Sequence, residues 1–152
     1  MTASDGPYRR LVVGTDGSAS AVGAVRHAAE LAGATGGRLT IVSAYTRHET
    51  AGAELEVGTA DSWIVTDAAG AEDHVGKAQD VARSTGLTDI GGRTEAGDPA
   101  SVLLDVADDV GADVIVVGSK GMASAARFVL GSVPNRVSHH AHCDVIIVRT
   151  AD

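Results

Sequence analysis

The chain has a single cysteine, Cys143. No intrachain disulfide can form, and no structural zinc site can be built from four thiolates of one chain. Aromatic residues are nearly as scarce: one Trp, one Phe and two Tyr, 3% of the whole. With 44% hydrophobic residues and so few rings, the core must be made of Val, Ile, Leu and Ala, as in α/β proteins whose parallel sheet is covered on both faces. No apolar run approaches the ~20 residues of a membrane span. Met1 to Arg10 is polar and lacks the apolar centre of a secretion signal. These absences point to a cytoplasmic protein without a membrane partner. Excess positive charge is missing too. Twelve Lys and Arg stand against 20 Asp and Glu, for a formal net charge of −8, which argues against nonspecific nucleic-acid binding. At 152 residues, the chain reads as one domain, 1–152.

One absence is local. Between Asp113 and Asp144 there is no acidic residue. The same stretch holds Lys120, Arg127 and Arg136, followed by His139, His140 and His142. An acidic chain that clears one segment of carboxylates has a place there for an anion.

Hydrophobic periodicity gives the order of elements. Arg10 to Gly14 reads as a short buried strand, Thr15-Asp16-Gly17-Ser18 as a turn, and Ser18 as the N-cap of a helix carrying Ala21, Val25, Ala28, Ala29 and Ala32. Leu39 to Tyr45 is a second strand, rich in β-branched residues. Thr46 to Thr66 has no sustained period and reads as a long connection containing Trp63. Ala71, Val75, Ala78 and Ala82 mark a second helix, closed by Gly86. Ile90 to Ala96 is a weaker strand, polar enough for a sheet edge. Asp98 and Pro99 suit the N-cap and first position of a third helix, in which Leu103, Val106, Ala107 and Val110 share a face. Val114 to Val117 is the strongest core strand. Ser132 reads as the cap of a fourth helix with Pro134 near its start and Val133, Val137 and Ala141 on one face. Val145 to Val148 is the last strand. Strictly alternating strands and helices imply a doubly wound α/β fold with a five-stranded parallel sheet.

The chemistry-bearing motif follows the fourth strand. Gly118-Ser119-Lys120-Gly121 is succeeded, after nine intervening residues, by Gly131-Ser132-Val133. This is neither a Walker A loop nor the dinucleotide fingerprint. A buried strand, a glycine-rich loop and a helix N-terminus together make an arrangement that holds phosphate. Gly118 and Gly121 allow close backbone approach, and Gly131, Ser132 and Val133 offer N–H groups at the positive end of a helix.

The Gly-x2-Gly-x9-Gly-Ser spacing resembles the nucleotide-binding signature of the universal stress protein family. The opening Val12-Val13-Gly14-Thr15-Asp16-Gly17-Ser18, the Gly97-Asp98-Pro99 segment and the terminal Val145-Ile146-Ile147-Val148-Arg149 are similar to that family as well. The resemblance runs over about residues 8–150 and leaves out a variable loop at 46–66. It implies an adenine-nucleotide-hydrolase-like sheet of order 3-2-1-4-5, with strands 1 and 4 adjacent at the topological switch. By the resemblance, Asp16 contacts the adenine or ribose end, Ala44 lines the adenine pocket, and Gly118, Gly121, Gly131, Ser132 and Val133 contact ribose and phosphates. Thr15, Gly97, Lys120, Arg127 and Pro134 complete the candidate cofactor-binding set, with no catalytic residue and no metal ligand assigned. Arg136 is a supporting charge.

The implied role is regulatory or sensory binding of ATP. Many ATP-binding relatives carry Ser or Thr where this chain has Pro134, which has neither an N–H nor a hydroxyl. That keeps AMP or cyclic AMP open as the ligand. A slow ATPase dependent on Mg²⁺ or Mn²⁺, with Asp16 as the nearest carboxylate, is the catalytic alternative. A module acting through dimerisation alone is the third. The family resemblance implies a homodimer paired through the fifth strand. The three histidines read as poor metal ligands, because adjacent positions on a helix face different ways. Cys143 reads as a small buried hydrophobe rather than a reactive thiol.

Overall fold

Val, Ile and Leu fill the buried positions of the central strands, and their alternation builds a core on each side of one sheet. The computed structural model describes residues 7–46, 67–119 and 131–149. The Thr46–Thr66 connection beyond its first residue lies outside them, with Trp63, and so do Lys120, Gly121 and Arg127. The elements are β1 (Arg10–Gly14), α1 (Ala19–Thr35), β2 (Arg38–Tyr45), α2 (Ala68–Ser84), β3 (Ile90–Ala96), α3 (Pro99–Val110), β4 (Val114–Gly118), α4 (Ser132–His140) and β5 (Asp144–Val148). All strand pairs are parallel, in the order β3-β2-β1-β4-β5. The doubly wound sheet expected from the sequence is present, with β1 and β4 adjacent and β3 and β5 at the edges.

Side chains on a strand point alternately to opposite faces. Leu11, Val13, Leu39, Ile41, Val114 and Val116 face α1 and α2. Val12, Val42, Ile115 and Val117 face α3 and α4. Nearly all of these are inaccessible to solvent. The first face is lined with alanine: Ala24, Ala28, Ala29 and Ala32 of α1 meet Ala71, Ala78 and Ala82 of α2 and the sheet. Small side chains let two seventeen-residue helices share that face, which compensates for the missing aromatics.

Helix ends follow local chemistry. Ser18 accepts a hydrogen bond from the Ala21 N–H at 3.2 Å, and Gly36 closes α1 in the left-handed conformation at φ 76°. Asp98 caps α3 with Pro99 behind it. One expectation is corrected. The N-cap of α4 is Gly131, not Ser132, which is the first helical residue, and among the described residues no side chain caps this end. Gly131 has extended backbone angles, φ −62° and ψ 165°, is buried, and has its N–H held by the Ser119 carbonyl.

On β5 the outer edge is unpaired among the described residues. Ile147 is the exposed large hydrophobic residue there, 36% accessible, although it lies on the same face as the packed Val145.

Ile115 is wholly buried in β4 between the sheet and the α3 face. Ile115→Ala is expected to cost about 2–5 kcal/mol through lost burial and the cavity left behind. Urea unfolding checks this; a cost below about 1 kcal/mol would mean that the α3 face is not close-packed.

Candidate nucleotide site

The carboxyl ends of β1 and β4 meet where the sheet changes winding direction, and a crevice opens there. The exits of β1 to β4 and the N-termini of α1, α3 and α4 lie at this end of the sheet.

At the β1 exit, Thr15 is almost buried and its N–H donates to the Val42 carbonyl at 2.9 Å. Its hydroxyl accepts from the Gly17 N–H at 3.2 Å. Asp16 is half-buried, and its Oδ1 accepts from the Ser18 N–H at 2.9 Å. This Asx-type turn holds the carboxylate of Asp16 in a set orientation at the crevice. Gly17 is required twice over. Its φ of +84° suits glycine, and a Cβ there would stand 2.6 Å from both Cδ2 and Nε2 of His74.

His74, from α2, was not foreseen. Its ring forms a wall against the β1–α1 turn, and its Nδ1 is buried without a partner among the described residues. In sequence it is one more polar position on an amphipathic helix, and nothing there reveals a neighbour so far along the chain.

At the β2 and β3 exits, Ala44 is half-buried against the α3-side core. The Tyr45 carbonyl accepts from the Gly97 N–H at 2.9 Å, tying the two exits together. Gly97 has φ +139°, and a Cβ would approach Val102 to 3.2 Å. Asp98 follows. Its Oδ2 accepts from the Ser101 N–H at 3.0 Å and from Arg136 Nη1 at 2.6 Å. Desolvation pushes the Asp98 carboxyl up, but the Ser101 N–H and the Arg136 guanidinium outweigh it and hold the pKa below the ordinary carboxylate value.

At the β4 exit, Gly118 pairs with Val148. The Ser119 N–H donates to the Val148 carbonyl at 2.8 Å, and the Ser119 carbonyl accepts from the Gly131 N–H at 3.2 Å. The two ends of the glycine motif are thus joined at the base of the 120–130 segment. This corrects a second expectation. Gly131 does not offer its N–H to a ligand, because Ser119 holds it. By helix geometry the Ser132 and Val133 N–H groups have no intrahelical acceptor. The third position, Pro134, is buried and has no N–H. Ser132 is exposed, and Val133 packs half-buried on the α3-side core. Two backbone donors and one hydroxyl therefore face outward at this end of α4.

The structure brings Thr15, Asp16, Ala44, Gly97, Gly118, Gly131, Ser132, Val133 and Pro134 to one end of the sheet. The histidines diverge: His139 Nδ1 lies 3.0 Å from the Asn135 carbonyl, and His142 Nδ1 lies 3.2 Å from Asp108. Among the described residues, no three His, Cys, Asp or Glu side chains are grouped to hold a metal ion. Burial pushes the Cys143 thiol up, and Asp144, Asp108 and Asp113 add to the shift, which disfavours the reactive thiolate. A groove of about 580 Å³ lies at the opposite end of the sheet, by the carboxyl ends of α1 and α2. Helix carboxyl ends repel anions, so that groove is unsuited to phosphate.

The universal stress protein family model matches residues 7–149, and the chain belongs to that family. Universal stress protein Rv1636 of Mycobacterium tuberculosis (strain ATCC 25618 / H37Rv) is 40% identical over 144 residues, covering 94% of this chain and 97% of that relative. Among solved structures, a universal stress protein in complex with cAMP is 35% identical with a TM-score of 0.74, covering 95% of this chain and 98% of the other. The universal stress protein from Archaeoglobus fulgidus in complex with dAMP is 25% identical with a TM-score of 0.69, covering 95% and 100%. No helix among the described residues is long and apolar enough to cross a membrane.

The His74 wall yields a test. Gly17→Ala is expected to destabilise the protein by about 1–3 kcal/mol, from the left-handed backbone and the contact with the ring. In a His74→Ala background the same substitution should cost measurably less, since contacting residues couple. Equal costs in the two backgrounds, measured by chemical denaturation, would remove His74 as the wall.

Proposed function

We propose that this protein binds an adenine nucleotide in the crevice between the β1 and β4 exits and acts as a regulatory or sensory binding protein of the cytoplasm. Asp16 and Ala44 serve the adenosine end. Gly118 and Gly121 permit close approach of the sugar and phosphate, and Ser132 and Val133 hold the phosphate, with Lys120 and Arg127 contributing charge nearby. Thr15 and Gly97 shape the strand exits. The relatives solved with cAMP and dAMP support the ligand class.

One observation carries the choice among nucleotides. At the α4 N-terminus the Gly131 N–H is engaged by Ser119 and Pro134 has none, so two backbone donors remain. Two N–H groups and the Ser132 hydroxyl suit one phosphoryl group better than three. The reading therefore favours AMP or cyclic AMP over ATP. Mg²⁺ or Mn²⁺ bridging phosphates belongs to the ATP alternative. Asp16 is committed through Oδ1 to the Ser18 N–H, which suits it to positioning a ligand more than to activating water.

Calorimetric titration of the nucleotide-stripped protein with AMP, cyclic AMP and ATP tests this. One of the monophosphates is expected to bind at least as tightly as ATP, and Gly121→Val to weaken it tenfold or more, because a branched side chain blocks close backbone approach. Tighter ATP binding would overturn the monophosphate preference. No heat with any of the three would overturn the reading itself.

We also propose a homodimer joined through β5. Its unpaired edge and the exposed Ile147 support this. Light scattering at micromolar concentration should give twice the chain mass, and Ile147→Lys should shift the protein to monomer. A wild-type monomer would contradict it.

A further inference from the structure

We infer that Asp98 is an internal counter-anion that holds Arg136 in the absence of ligand and gives it up to the nucleotide phosphate. The inference rests on the nucleotide-binding reading above and adds a residue pair that reading does not use.

Arg136 stands in the second turn of α4, near the positive end of that helix, whose first turn contains no acidic residue. The helix field fades beyond the first turn, so a specific partner sets where its guanidinium stands. No carboxylate is available from the surrounding chain, since residues 114–143 contain none. The anion comes from a different element. Arg136 Nη1 reaches Asp98 Oδ2 at 2.6 Å, and Nη2 reaches the Ser101 hydroxyl at 3.3 Å. The guanidinium is therefore drawn to the N-terminus of α3, at the same end of the sheet as Ser132 and Val133.

Asp98 has partners besides Arg136. It is the N-cap of α3, where the Ser101 N–H and the helix dipole already serve a carboxylate. Nor is the pair locked: both side chains are 47% accessible. An ion pair so exposed is screened by water and shifts an equilibrium by about fivefold at most. A terminal phosphate carries nearly two charges, against one for a carboxylate, and can accept two parallel N–H bonds from a guanidinium. The phosphate is the stronger partner for Arg136, and the exchange leaves Asp98 with its cap intact. A phosphate monoester such as AMP gains more from this exchange than the singly charged diester of cyclic AMP.

A purely structural clamp between α3 and α4 predicts the opposite sign for one variant, so the sign decides. The probes are adenosine, AMP and cyclic AMP, titrated calorimetrically. Asp98→Asn keeps an N-capping side chain and removes the charge. It is expected to tighten AMP about two- to fivefold, cyclic AMP less, and adenosine not at all. Arg136→Gln should weaken AMP about tenfold and leave adenosine unchanged. In the Arg136→Gln background, Asp98→Asn should no longer tighten AMP, which separates release of Arg136 from mere loss of a nearby negative charge. If Arg136→Gln fails to fold, Arg136→Lys replaces it, with the charge kept and the fork lost, and an intermediate loss is expected. Wild-type binding of AMP combined with unchanged or weaker binding by Asp98→Asn overturns the counter-anion and leaves a clamp. Failure of the wild type to bind any of the probes overturns the nucleotide reading beneath it.

Discussion

The pairing of β1 with β4 is the constraint on which the rest of this structure depends. Leu11, Val12 and Val13 align with Val114, Ile115 and Val116 at the centre of the sheet, and all six are essentially inaccessible to water. These strands come from opposite halves of the chain, and their helices leave to opposite faces. Parallel strands buried on both faces leave no freedom of register, because a slip by one residue would exchange the two cores. The crevice at their carboxyl ends is a by-product of that packing. Neither the Asp16 turn nor the α4 N-terminus would face it if β4 stood elsewhere.

The two faces differ in their resources. On the α1–α2 face, alanine contacts bring helices close to each other and to the sheet. On the α3–α4 face the helices are shorter, and the core mixes Leu103, Val102 and Val106 with Val137 and the partly buried Val133. That second face carries the N-termini of α3 and α4. Its polar contacts, including the Asp98–Arg136 pair, lie in half-exposed surroundings, where each contributes little to stability.

Much of the fold was legible from local chemistry. The Val114–Val117 run, the Ser18 cap, the Asp98-Pro99 start and the spacing of alanines in α1 and α2 each state their element within a few residues, and the alternation of elements then implies the sheet. The strand order and the meeting of Asp16 with Gly118 came through the family resemblance, since no local signal specifies which strands become neighbours. What stayed illegible depended on distance along the chain. His74 against Gly17 joins α2 to the first turn, and Arg136 on Asp98 spans two elements. The placement of the α4 cap failed for a different reason. Serine is the better capping residue in general, but here the Ser119 carbonyl takes the Gly131 N–H, and the helix begins one residue earlier than a capping Ser132 would require.

That same hydrogen bond separates the architecture from what is inserted into it. Ser119 is fastened to β5 through the Val148 carbonyl, and Gly131 is fastened to Ser119. The two stems of the 120–130 segment are pinned side by side whatever lies between them. The α4 N-terminus is thus tied through Ser119 to the edge strand β5. Anything that shifts or holds that edge also sets where the Ser132 and Val133 N–H groups stand.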